Sequence, residues 1–103
     1  FGADVTKGEG EIDAVDARTG AVKWTRTLPG NPLGGATVVN DLVFTALVDG
    51  TLMALDRHDG KVVWSYDAGG GVNGWMSVAG DTIVIPVGSS SPPAVLALSL
   101  PPR

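Results

Sequence analysis

Between Thr51 and Leu55 the side chains fall alternately on the two sides of an extended strand, yet neither side is polar. Leu52 and Ala54 share one face and Met53 and Leu55 the other, so both faces of this strand need cover from something else. The run breaks at Asp56-Arg57-His58-Asp59-Gly60 and resumes as Lys61-Val62-Val63-Trp64, which predicts a β-hairpin. Asp56 is placed to accept main-chain N–H groups in the turn, and Gly60 to adopt the positive φ that sends the chain back. The same pattern stands forty residues earlier, from Glu11 to Trp24, and the two copies align without a gap from Glu11/Thr51 to Val48/Gly88.

Taken in order, Phe1 to Val5 reads as the remnant of a strand, followed by a Lys7-Gly8-Glu9-Gly10 turn. Ile12 to Val15 and Val22 to Arg26 form the first hairpin. Leu28 to Gly35 is too rich in Pro and Gly for a strand. Ala36 to Val39 and Leu42 to Val48 are strands joined by Asn40-Asp41, and the second hairpin follows. After it the plan recurs: a loop from Gly69 to Gly74, a strand from Trp75 to Ala79, a Gly80-Asp81 turn and a strand from Thr82 to Val87. Beyond Ser89-Ser90-Ser91-Pro92-Pro93, the run Ala94 to Leu98 repeats the Ile12 and Leu52 strands a third time.

Four short antiparallel strands per forty-residue period, apolar on both faces, describe the blade of a β-propeller, which stacks on its neighbours because it cannot cover its own faces. A solenoid would use parallel strands at a shorter period. An immunoglobulin-like sandwich would not repeat at a fixed offset. A WD-type blade has a similar period but asks for Gly-His and Trp-Asp dipeptides, and the chain contains neither.

Composition narrows the chemistry. The chain has 103 residues, of which 17% are charged and 44% hydrophobic, the balance of a folded rather than a disordered polymer. A net charge of −4 supplies no basic stripe, so nucleic acid is not an expected partner. With no Cys there are no disulfides, thiolate metal sites or thiol nucleophiles. No apolar run reaches the length of a membrane span. The start at Phe1, with no initiator Met or signal-peptide pattern, suggests excision or processing from something longer.

The paired motifs Ala14-x-Asp16-x-x-x-Gly20-x-x-x-Trp24 and Ala54-x-Asp56-x-x-x-Gly60-x-x-x-Trp64 resemble the tryptophan-docking motif of the pyrroloquinoline-quinone (PQQ)-like repeat family. That family includes quinoprotein alcohol dehydrogenases, an outer-membrane assembly lipoprotein and extracytoplasmic sensor propellers. The resemblance implies that Trp24 and Trp64 are docking tryptophans buried between blades, with Ala14 and Ala54 as their small partners and Gly20 and Gly60 as turn glycines. Thr19 matches the usual Thr-Gly pair, and Asp59 departs from it. The implied fold is all-β, with blades of four antiparallel strands and about two and a half of them from a larger, eight-bladed ring. The expected division is 1–35 as an incomplete blade and loop, 36–75 as a complete blade and loop, and 76–103 as an incomplete C-terminal blade. Its outer strand would come from upstream, since Pro101-Pro102 would stop the chain there.

Quinoprotein dehydrogenases would need PQQ, a Ca²⁺-type ion on oxygen ligands and a catalytic Asp. No cluster in this chain has that spacing, so neither cofactor nor metal site nor catalytic residue is expected within it. Asp16, Asp41, Asp49, Asp56 and Asp81 each sit where a turn needs a cap. His58, the only imidazole, falls in a turn and reads as a solvated residue. The Gly-rich run Ala68 to Gly71 opens no helix and so makes a poor phosphate cradle. Asn73 and Trp75 differ from their counterparts Leu33 and Gly35, in a loop that faces the central channel of the family's propellers. They are the candidate ligand-binding residues, with Trp75 read first as a plug or packing residue because so large a ring buries much apolar area. The reading is a non-catalytic binding or sensor scaffold of a bacterial cell envelope, extracytoplasmic by resemblance. The alternative is a fragment of a PQQ-dependent alcohol dehydrogenase. Expected partners are the remaining blades or further copies of the chain, with a protein or small molecule at the channel loops.

Overall fold

The computed structural model describes residues 8–32, 35–72, 74–88 and 93–99, and every regular element among them is a β-strand. In chain order these are β1 (Gly10–Val15), β2 (Val22–Leu28), β3 (Ala36–Val39), β4 (Leu42–Ala46), β5 (Thr51–Asp56), β6 (Val62–Asp67), β7 (Ser77–Ala79), β8 (Thr82–Val87) and β9 (Ala94–Ser99). They pair antiparallel into three sheets, of order β1-β2, β3-β4-β5-β6 and β7-β8-β9. The all-β, antiparallel expectation holds.

The hairpins are built alike because their sequences are. In the first, the Asp16 N–H donates to the Ala21 carbonyl and the Gly20 N–H to the Asp16 carbonyl, and the second has the same bonds from Asp56 to Lys61 and from Gly60 to Asp56, all 2.8 Å. Gly20 and Gly60 have φ of 76° and 75°, a conformation that a side chain would strain. Each hairpin then slips by one residue: Ala14 faces Trp24 while Val15 faces Val22, and Ala54 faces Trp64 while Leu55 faces Val62. The bulge leaves Lys23 or Val63 unpaired. It turns the strand so that the Trp that follows leaves on the face shared with Ile12 or Leu52.

The second sheet is covered on both sides, as its sequence demands. Met53, Leu55 and Val43 meet Leu28, Ile12 and Trp24 of the first sheet, together with Leu47. On the opposite face Leu52, Ala54, Phe44 and Ala46 meet Ile85, Val87 and Met76 around the third sheet. Leu52, Leu55 and Ile85 are fully buried, each worth roughly 1.5–3 kcal/mol relative to exposure.

Some strand ends differ from the sequence reading. The strand expected to run to Val48 stops at Ala46, because the Leu47 N–H turns to the Thr51 carbonyl and the Val48 N–H leaves the sheet for the Asn31 carbonyl. Leu28, read as loop, ends β2 and is buried. Trp75 and Met76 precede β7, whose ladder begins at Ser77 opposite Val84. The Phe1 to Val5 strand remnant and the Lys7 turn residue lie outside the described residues.

Leu55→Ala is expected to lower the free energy of unfolding by about 2–5 kcal/mol. Val95→Ala, at an exposed position of β9, is expected to move it by about 0.5 kcal/mol or less. Chemical denaturation of the two variants checks this, and equal effects would show that the contact between the first two sheets is not a core.

Candidate functional site

The most specific polar contact between sheets centres on Trp24. Its indole lies over Gly60: a Cβ built on that glycine would stand 2.5 Å from Cε3 and 2.8 Å from Cδ2 of the ring. The indole N–H donates to the Arg57 carbonyl at 2.7 Å, and the Arg26 Nε–H donates to the Gly60 carbonyl at 2.7 Å. The receiving turn is held from its other side, where the Arg57 N–H donates to the Asp41 carbonyl at 2.8 Å and His58 Nε2 stands 3.2 Å from the Asp41 carboxylate. Asp56 and Asp59 each accept a main-chain N–H within the turn, from His58 and Lys61.

The repeat counterpart differs. Trp24 is half-buried and Trp64 is 37% exposed, so neither ring has the full burial expected of it. The residues that follow β9 lie outside the described residues. Trp64 instead stacks on Tyr66, two residues along the same strand, with ring centroids 6.0 Å apart and planes 10° from parallel. A groove of about 670 Å³ opens beside it between the second and third sheets, lined by Trp64, Phe44, Ala54, Ile83 and Leu98.

Trp75 is 71% exposed, contrary to a packing residue's expected burial. Its indole crowds Gly35 from the N–H side of the ring: a Cβ built on that glycine would meet Nε1 and stand 2.7 Å from Cδ1 and 2.8 Å from Cε2. Nearby the Thr37 hydroxyl donates to the Met76 carbonyl and the Thr45 hydroxyl to that of Gly35, each at 2.9 Å. The Nε1 side of the ring is therefore set against the main chain at Gly35. Asn73, the other candidate in this loop, lies outside the described residues.

These features meet clear relatives. The PQQ-type family model described as outer membrane protein assembly factor BamB matches residues 5–98. The chain belongs to the PQQ-like repeat family. The solved structure of BamB from Moraxella catarrhalis superposes with a TM-score of 0.72 at 30% identity, over 87% of this chain and 27% of that one. A polyvinylalcohol dehydrogenase of Pseudomonas sp is 39% identical over 57 residues, or 55% of this chain. A quinoprotein ethanol dehydrogenase of Pseudomonas putida is 29% identical over 89 residues, or 78% of this chain. The chain spans only 9% and 14% of the length of these two relatives. Its three sheets are thus blades, or parts of blades, of a larger propeller.

Within this PQQ-like segment five of the aspartates serve local structure. Asp16, Asp49, Asp56, Asp59 and Asp67 each accept at least one main-chain N–H from the two or three residues that follow. Asp41, expected to cap its own turn, directs its carboxylate to His58 instead, and the Asn40-Asp41 turn is made by Asn40 at φ 53°. Among the described residues no three of His, Asp or Glu converge as a metal-ligand set. The N–H groups of Thr19 and Arg18 hold the Asp16 carboxyl below its ordinary range. Glu11 is raised, because its protonated form can donate a hydrogen bond to the Asp13 carboxylate and because of that group's like charge. Arg26 and the Arg57 carbonyl were not marked by the motif. Two places after Trp24 on the same strand is the signal for Arg26, and Tyr66 at the equivalent position obscures it.

Two outcomes follow. Gly20→Ala, with open space around the added methyl, is expected to cost about 1–2 kcal/mol from its φ alone, whereas Gly60→Ala must also displace Trp24 and is expected to cost about 2–5 kcal/mol. Equal costs in denaturant titrations would mean that the indole gives way freely. For Asp16, whose folded pKa is depressed, the stabilising contribution is complete above the ordinary aspartate range and disappears as the pH falls through the lower folded value. An NMR titration should place the Asp16 carboxyl midpoint below that of an unfolded aspartate, with the Arg18 and Thr19 amides moving in step; a midpoint at or above the unfolded one contradicts it.

Proposed function

We propose that the chain supplies blades to a non-catalytic binding or sensor scaffold, and that its motif residues hold blade to blade rather than form a self-contained active site. The observation that carries this reading is the contact of Trp24 with the 56–60 turn, in which the repeated motif residues of one sheet meet those of the next. On this reading Trp24 is a docking tryptophan with Ala14 opposite it and Gly60 beneath it. Trp64, Ala54 and Gly20 hold the corresponding places toward neighbouring blades. The partners are the remaining blades of the ring or other copies of the chain. An extracytoplasmic, cell-envelope setting accords with the outer-membrane assembly factor that describes the family.

Trp75 and Asn73 are the residues proposed to face a protein or small-molecule ligand. Support for Trp75 is its large exposure while the Nε1 side of its ring is held against the Gly35 main chain, at the entrance to the innermost strand β7.

A second reading, a segment of a PQQ-dependent alcohol dehydrogenase, is favoured by the polyvinylalcohol and quinoprotein ethanol dehydrogenases among the relatives. The described residues do not fit PQQ and Ca²⁺ by themselves, since their carboxylates are scattered over separate turns and form no shared oxygen cage. Such a site would need groups from other blades.

The full-length protein, supplied with PQQ and Ca²⁺, is expected to show no dye-linked oxidation of primary, secondary or polymeric alcohols. Turnover that depends on both additions would overturn the scaffold reading in favour of the dehydrogenase.

A further inference from the structure

We propose that Arg26 is the second arm of a two-donor clamp which, with Trp24, reads the main chain of the 56–60 turn and makes the first blade contact specific for a turn of that shape. The inference rests on the docking reading of Trp24 and adds to it a residue and a partner preference.

Trp24 and Arg26 are two apart on β2 and reach the same neighbouring turn. The indole takes the Arg57 carbonyl near the start of the turn and the guanidinium takes the Gly60 carbonyl at its end, each at 2.7 Å. Both acceptors are main chain, so the clamp is indifferent to the side chains of His58 and Asp59. What it requires is two carbonyls three residues apart pointing outward, and no Cβ at the second, where the indole lies. Arg26 is partly buried, and a guanidinium keeps its charge and its planar donors there, so its bond to a carbonyl is a strong one.

The next blade offers something else. Tyr66 occupies the place of Arg26 in the repeat, and its ring lies parallel to Trp64. Tyr66 offers one neutral O–H at the tip of a stacked ring where Arg26 offers a charged, planar set of N–H donors, so the face bearing Trp64 and Tyr66 does not reproduce the clamp. A turn of this shape therefore meets both donors on the first sheet and only the indole on the second, and the pair at positions 24 and 26 helps fix the order in which blades stack.

Amide exchange in the full-length protein tests this through the Gly60 N–H, held by the Asp56 carbonyl, and the Asp56 N–H, held by the Lys61 carbonyl. In Arg26→Met both are expected to exchange about tenfold faster, the equivalent of about 1.4 kcal/mol, while amides of β7 to β9 keep their rates and the Trp24 indole N–H stays protected. Arg26→Lys, which keeps a charged donor, should recover part of the protection, and Tyr66→Arg should leave the turn as it is. Unchanged exchange in Arg26→Met overturns the clamp. So does a uniform acceleration across all three sheets, which would assign Arg26 to general stability. Trp24→Phe separates the two ideas: if it releases the turn while Arg26→Met does not, docking stands and the clamp falls, and if neither releases it both fall.

Discussion

A β-strand with apolar side chains on both faces is stable only between two other layers, and β5 is such a strand. Leu52 and Ala54 are buried against the third sheet and Met53 and Leu55 against the first. Most of the arrangement follows from that demand. A free hairpin with this sequence would leave both sets in water at a cost of several kcal/mol. A two-layer sandwich would cover only one of them. Stacking sheet on sheet covers both, and it passes the same demand to the next sheet, which is why the pattern must repeat.

Hydrophobic contact alone does not say how two such sheets are aligned, since apolar surfaces slide with little penalty. The polar contacts supply the alignment. The bulge after Ala14 brings Trp24 onto the forward face, the positive φ of Gly60 bends the opposing turn, and the lack of a side chain there lets the indole lie on the peptide. The turn is in turn braced by the Asp41 carbonyl beneath Arg57. Sequence dictates each of these parts locally, through a glycine, an aspartate cap and one extra residue in a ladder. Only their conjunction produces a contact across sheets.

The same distinction explains what could be read from the residues alone. Strand order, hairpin turns and the two-faced strand were legible because each is a local pattern: alternation, Asp followed by Gly, and a fixed offset of forty residues. The early end of β4 at Ala46 was not, because an apolar run such as Leu42 to Val48 says nothing of where a ladder stops: the Val48 N–H is drawn away by Asn31, seventeen residues before it. Trp64 and Trp75 illustrate a second limit. A tryptophan in a motif says that a ring is available to be covered, whereas its exposure depends on groups distant in sequence. Arg26 was hidden for the opposite reason, since comparing repeats directs attention to what recurs, and its counterpart is a tyrosine.

That last point bears on how far one repeat can be read from another. The first two repeats agree on the face turned forward, where Ile12 matches Leu52, Ala14 matches Ala54 and Trp24 matches Trp64. They disagree on the face turned back: Glu11, Asp13 and Val15 stand where Thr51, Met53 and Leu55 are, and the first three are exposed where Met53 and Leu55 are buried. Glu11 and Asp13 stand two apart on this strand face, so it could not take the apolar cover that Met53 and Leu55 receive without stranding charge. The repeat therefore fixes the backbone of a blade, and each face acquires its side chains from whatever that face meets. For a segment of a larger ring, chemistry is to be sought where the repeats diverge and structure where they agree.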